Sequence, residues 1–140
     1  MLVLIVGPFP EEHTYLRRVL GRFRCKAASA FNREQGQAIQ NFKQPSLIVC
    51  DSDLPDGSWR DFLASAEVAE MAPLIVTSRL ADERLWAEVL NLGGYDLLAK
   101  PFDQSEVIRV IDMALRRWAF CKRLQGGMGK SRVAASCGRR

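Results

Sequence analysis

A single histidine, no CxxC pair and no long apolar run mark this 140-residue chain by scarcity. His13 has no Ser or Cys partner in a recognisable arrangement. This argues against Ser–His or Cys–His catalysis and leaves His13 as an expected surface residue. Cys25, Cys50, Cys121 and Cys137 are scattered along the chain. Unpaired thiols and a reducing, cytoplasmic setting are expected, with Cys50 a small core residue. No segment approaches the roughly 18 apolar residues of a membrane span. The N-terminal Met-Leu-Val-Leu-Ile-Val lacks a basic region before it and reads as a strand rather than a signal peptide. No G-x-G-x-x-G follows that strand, and no metal-ligand cluster or nucleophile–base pair is visible, so an enzyme or nucleotide binder has little support. The Gly126-Gly-Met-Gly-Lys-Ser run has the wrong spacing for a phosphate loop and no strand before it.

Acid is missing from one end of the chain. Residues 116–140 hold 8 Lys/Arg and no Asp or Glu, whereas residues 1–115 hold 12 Lys/Arg and all 16 acids. The net charge of +4 therefore hides a body of −4 and an end of +8. From about Leu124 apolar periodicity also stops. A domain over 1–123 and a disordered basic tail over 124–140 are expected. Such a tail is too short for a DNA-binding domain, and would hold nucleic acid only non-specifically and in a salt-sensitive way.

What is present is alternation. Strong β runs lie at 2–6, 46–50 and 73–77, with weaker ones near 25–29 and 95–99. Helical spacing fills the gaps. Leu16, Val19, Leu20 and Phe23 share one face of residues 10–23, with Pro10 suited to a first turn. Asn32 with Gln35, Ser58 with Asp61, and Asp103 with Glu106 resemble capping pairs for a helix to about Phe42, a helix to about Glu70 and a long last helix whose apolar positions run from Val107 to Trp118. Residues 81–92 form a further helix, which Gly93-Gly94 ends. The order βαβαβαβαβα predicts an α/β fold with a parallel sheet in the order 2-1-3-4-5, covered by helices on both faces.

Ligands of open α/β sheets sit at the carboxyl ends of the strands. Three such ends carry chemistry. Leu47-Ile48-Val49-Cys50 runs into Asp51, with Leu54-Pro55-Asp56-Gly57 after it; Leu74-Ile75-Val76 runs into Thr77-Ser78; Leu97-Leu98-Ala99 runs into Lys100-Pro101-Phe102. A carboxylate, an alcohol and an amine would converge there on a phosphoryl-sized anion.

At these positions the chain resembles a response-regulator receiver domain, of (βα)5 flavodoxin-like fold, over about residues 1–123. The resemblance implies that Asp51 accepts a phosphoryl group from a histidine kinase or phosphotransfer protein, and that Thr77 and Lys100 hold its oxygens. It implies a cis Lys100–Pro101 peptide and signalling through the face of helix 4, strand 5 and helix 5, where Trp86, Tyr95 and Trp118 fall and a second copy could dock. Such a domain is no enzyme beyond slow self-catalysed transfer and hydrolysis.

The departure lies at the first strand. Members of that family usually carry two acids there to help hold Mg²⁺; Gly7 and Pro8 stand in their places. Asp51 and Asp53 would be left as weak ligands, so phosphorylation is expected to be slow or absent. The loop after Pro55 is one residue short. Leu97 replaces the aromatic of the family's rotamer switch. Glu11 or Glu12 has the reach to swing toward the site, but acids in a first helical turn ordinarily complement the helix dipole, and that role is favoured. An Asp53–Arg79 ion pair across the site mouth is also expected. The rival to a working phosphoacceptor is a pseudo-receiver, a protein-binding module indifferent to phosphorylation.

Overall fold

The computed structural model describes residues 1–64 and 72–127. Five parallel strands, β1 (Leu2–Val6), β2 (Lys26–Ala30), β3 (Leu47–Asp51), β4 (Leu74–Ser78) and β5 (Asp96–Ala99), stand in the order β2-β1-β3-β4-β5. Between and after them run α1 (Pro10–Leu20), α2 (Arg33–Lys43), α3 (Arg60–Ala64), α4 (Glu83–Asn91) and α5 (Gln104–Gly127). The expected topology is therefore the observed one.

Hydrophobic burial sets this arrangement. Every residue of β3 and β4 is buried, as befits central strands covered on both faces. Alternate residues then feed two separate cores. Val3, Ile5, Val49, Ile75 and Leu98 meet Leu16 and Val19 of α1 and Val107 and Val110 of α5. Leu4, Val6, Ile48, Cys50 and Val76 meet Trp59, Phe62 of α3 and Val89 of α4. Each fully buried Leu, Ile or Val contributes about 1.5–3 kcal/mol relative to exposure.

Local signals fix the helix ends. The Asn32 side chain accepts from Gln35 N and the Asp82 side chain from Leu85 N, each satisfying an orphan donor of a first turn. Asp61 Oδ2 accepts from Ser58 N at 3.0 Å, the return half of the expected capping pair. The expected extension of this helix to Glu70 falls outside the described residues beyond Ala64. Asp103 behaves differently: its carboxylate takes the Ser105 hydroxyl, while Glu106 turns to Arg109 at 2.7 Å. Gly93 takes φ +99°, and Gly94 N reaches Val89 O at 2.8 Å, closing α4 through the left-handed cap that glycine favours. Gly36 matters for another reason: a Cβ there would lie 2.7 Å from Phe62 Cζ, so its absence lets α2 seat against the sheet.

At the C-terminal end α5 continues to Gly127, past the boundary expected at residue 123, and the rest of the expected tail lies outside the described residues. Cys25 and Cys50 are free thiols, but Cys121 is disulfide-bonded, which corrects the expectation of unpaired cysteines. Scattered spacing without CxxC carries no signal for such a bond. Among the described residues no helix is long and apolar enough to cross a membrane.

Candidate functional site

Strand parity brings the site residues to one place. Gly7, Asp51, Thr77 and Lys100 each lie two positions beyond Ile5, Val49, Ile75 and Leu98, all members of the core beneath α1 and α5. Side chains two apart on a strand share a face, so the four tips project to the α1 side of the sheet. Asp51 and Thr77 are register partners across β3 and β4, and both are buried. The main chain after β3 is held by Ser52 N to Thr77 O at 2.8 Å, and that after β5 by Lys100 N to Ser78 O at 3.0 Å. The Lys100–Pro101 peptide is cis.

Lys100 Nζ contacts Asp51 Oδ2 directly and is salt-bridged to Glu12 Oε1 at 2.8 Å. The Asp51 and Lys100 side chains are only 3% and 5% exposed, whereas Glu12 is 21% exposed and forms the outer member of the trio. Asp51 Oδ1 accepts from Asp53 N at 2.8 Å. Lys100 Nζ also stands 4.8 Å from the centroid of the Phe9 ring, a cation–π distance. Burial pushes the Glu12 carboxyl above its ordinary range; Lys100 pulls it back down, and the Asp51 charge adds to the rise.

Three expectations are corrected here. Glu12 does more than complement a helix dipole, since it turns inward onto Lys100 because α1 packs over the same face that carries the strand tips. Arg79 does not pair with Asp53: its guanidinium lies over Phe9 at 5.7 Å, and no Asp53–Arg79 ion pair occurs among the described residues. His13 is buried, not superficial. Its ring stacks on Phe31 with centroids 4.4 Å apart. Nε2 lies 2.8 Å from Gly7 O and Nδ1 lies 3.0 Å from Ser29 Oγ. A carbonyl only accepts, so Nε2 carries the proton and Nδ1 accepts from the Ser29 hydroxyl. Arg17 donates to the same hydroxyl oxygen at 2.9 Å.

Burial holds the His13 pKa below the ordinary 6.5. The unfolded chain then binds the extra proton first, so this residue adds stability above pH 6.5 that is lost as pH falls through the lower folded value. His13→Gln should remove that slope, which is at most about 1.4 kcal/mol per pH unit. Urea midpoints of both proteins across this range test it; parallel pH profiles would contradict it.

The loop after β3 is anchored away from the site. Asp56 accepts from Arg33 N at 2.6 Å and Glu34 N at 3.0 Å, clamping the first turn of α2. Those backbone donors, Arg33 first, hold the Asp56 carboxyl below the usual carboxylate range. Phe9 was missed in the sequence because an isolated aromatic between two prolines carries no periodic signal.

The donor set does not fit the two-acid Mg²⁺ site that the resemblance implies. Gly7 presents only its carbonyl at the β1 tip, and His13 Nε2 already donates to it. Asp51 Oδ2 is taken by Lys100. Asp53 is exposed and contributes its N–H to the pocket, and no group of three or more His, Cys, Asp or Glu among the described residues is arranged to hold a metal.

A family model described as the response regulator receiver domain matches residues 3–112. The KDP operon transcriptional regulatory protein KdpE of Escherichia coli is 30% identical over 115 residues, which are 82% of this chain and 51% of that protein. Response regulator protein PilR of Pseudomonas aeruginosa is 26% identical over 114 residues, 81% of this chain and 26% of its own length. The chain thus spans about half, or less, of these curated relatives. In fold it is similar to the signal receiver domain of a putative LuxO repressor protein from Vibrio parahaemolyticus, with a TM-score of 0.82 at 18% identity, covering 89% of this chain and 97% of that one. The receiver domain of Francisella response regulator 1452 gives 0.75 at 20%, covering 83% and 97%.

Proposed function

The chain belongs to the response-regulator receiver family, and from that premise we propose that Asp51 accepts a phosphoryl group from a histidine kinase or phosphotransfer protein. The observation that carries this reading is the buried contact between Lys100 Nζ and Asp51, beside Thr77 in register. A carboxylate oxygen of Asp51 attacks phosphorus; the new P–O bond forms as the donor's P–N bond breaks, and the imidazole nitrogen keeps that electron pair and takes a proton from solvent. Lys100 and the Thr77 hydroxyl then hold the phosphoryl oxygens. Lys100 supplies the positive charge that offsets repulsion between carboxylate and phosphoryl group, since the residues present do not build the family's Mg²⁺ site. Catalysis here is positioning and charge neutralisation, so the domain is a phosphoacceptor with slow self-catalysed turnover at most.

The output surface in this reading is the α4–β5–α5 face. A cleft of about 550 Å³ opens there, lined by Trp86, Leu97, Pro101 and Val107 among others. Trp86 is 46% exposed, while Tyr95 is buried in the core, so Trp86 is the docking aromatic for a partner or a second copy. A cytoplasmic setting rests in this reading on the histidine kinase or phosphotransfer donor and not on unpaired thiols, since Cys121 is disulfide-bonded. The basic residues from Arg116 onward add salt-sensitive, non-specific affinity for acidic surfaces.

The test is incubation with acetyl phosphate, in EDTA and in millimolar Mg²⁺, read by intact mass. Covalent modification that disappears in Asp51→Asn is expected, with less than about threefold dependence on Mg²⁺ for want of a two-carboxylate site. A pseudo-receiver is the second reading, favoured by one observation: Lys100 is already neutralised by two carboxylates. Unmodified protein under both conditions would establish that reading instead.

A further inference from the structure

We propose that Glu12 is a built-in occupant of the anion seat on Lys100, which an incoming phosphoryl group must displace before Asp51 can be modified. This rests on the reading of Asp51 as phosphoacceptor and goes beyond it, because it assigns a controlling role to a residue in the first turn of α1.

An ammonium group has three N–H donors. Lys100 is engaged by Asp51 on one side and by Glu12 at 2.8 Å on another, and Phe9 faces it at 4.8 Å. Two of the three donors are thus held by carboxylates, and the Phe9 ring stands over the ammonium, so a phosphoryl oxygen competes with Glu12 for its place. Of the two carboxylates, Asp51 is fixed: it ends a buried strand, is 3% exposed and accepts from Asp53 N. Glu12 hangs from α1 on a longer side chain and is 21% exposed, so it alone can rotate outward into water. The exchange also balances charge. Two carboxylates around one ammonium leave the pocket at −1, which repels an anionic donor. Swinging Glu12 out removes one negative charge as the phosphoryl group arrives. Glu11, its exposed neighbour, carries the same charge outside the pocket and provides the natural control.

The experiment compares wild type, Glu12→Gln and Glu11→Gln, with two readouts. One is the rate of Asp51 modification by acetyl phosphate. The other is the nuclear magnetic resonance signal of Lys100 Nζ, which reports its neighbour whether or not Asp51 reacts. Glu12→Gln should react about tenfold faster, the equivalent of one partly buried ion pair, and should move the Lys100 signal. Glu11→Gln should do neither. Where wild type is modified at Asp51, an unmoved Lys100 signal, or a rate in Glu12→Gln that is unchanged or slower, overturns the proposal while the phosphoacceptor reading stands. No modification in any of the three proteins, whatever the Lys100 signal does, overturns the phosphoacceptor reading and the proposed role of Glu12 with it.

Discussion

Lys100→Met is expected to lower the unfolding free energy by about 3–5 kcal/mol, the usual cost of removing one partner from a buried ion pair. The side chains of Lys100 and Asp51 are almost wholly out of water, and Glu12 is drawn toward the same ammonium. Without Lys100, two carboxylates face each other with no cation between them. The fold can answer by protonating one or by turning Glu12 outward, which sets the lower end of the range. Asp51→Asn in the same background should recover much of the loss, because an amide carries no charge to leave unpaired. Urea unfolding measures both, as a shift in midpoint at unchanged slope. A loss under about 1 kcal/mol would place Lys100 in the class of solvated surface pairs and contradict its burial.

The contrast between what could and could not be read from the residues has a physical origin. Strand order and helix positions follow from period and punctuation: β3 reads as Leu-Ile-Val-Cys between turn signals, and Asn32 and Asp82 sit where a first turn needs an acceptor. Asp51, Thr77 and Lys100 fall at strand ends, and parity then forces them onto one face. Glu12 and His13 are harder to read. Glu12 stands four residues before Leu16 and so falls within the apolar face of α1, with His13 at its edge. An acid in a first turn is equally well explained by the helix dipole, however, and what each residue meets depends on what the sheet edge offers. Gly7 offers space and a carbonyl, and Lys100 offers a charge, neither of which local spacing encodes. The Asp53–Arg79 pairing failed for a related reason. Arg79 found the Phe9 ring, a partner from β1's distant loop, while Asp53 turned its backbone rather than its carboxylate to the site. Cys121 likewise takes part in a bond that its position in sequence does not announce.

Gly7→Asp, which returns an acid to the β1 tip, should destabilise the protein in EDTA by about 3–5 kcal/mol, as an uncompensated buried charge does. Gly7 is buried, and a Cβ built on it lies 3.1 Å from Asp51 Cβ, so a new side chain crowds the acceptor before its charge is considered. The carboxylate would then be the third around a single ammonium. Mg²⁺ should reverse much of this. Asp51 and the new acid would supply the one or two carboxylates that this ion takes alongside water. A ligand that binds only the folded state stabilises it by about 2.7 kcal/mol at a hundredfold excess over Kd. Urea midpoints with and without millimolar Mg²⁺ therefore separate the two proteins: the variant should gain stability with the ion and the wild type should show little change. An equal Mg²⁺ response in both would mean that Asp51 and Glu12 already form a divalent site. A variant as stable as wild type in EDTA would mean that the pocket tolerates a third charge, and that the glycine at position 7 is not what keeps Lys100 the resident cation.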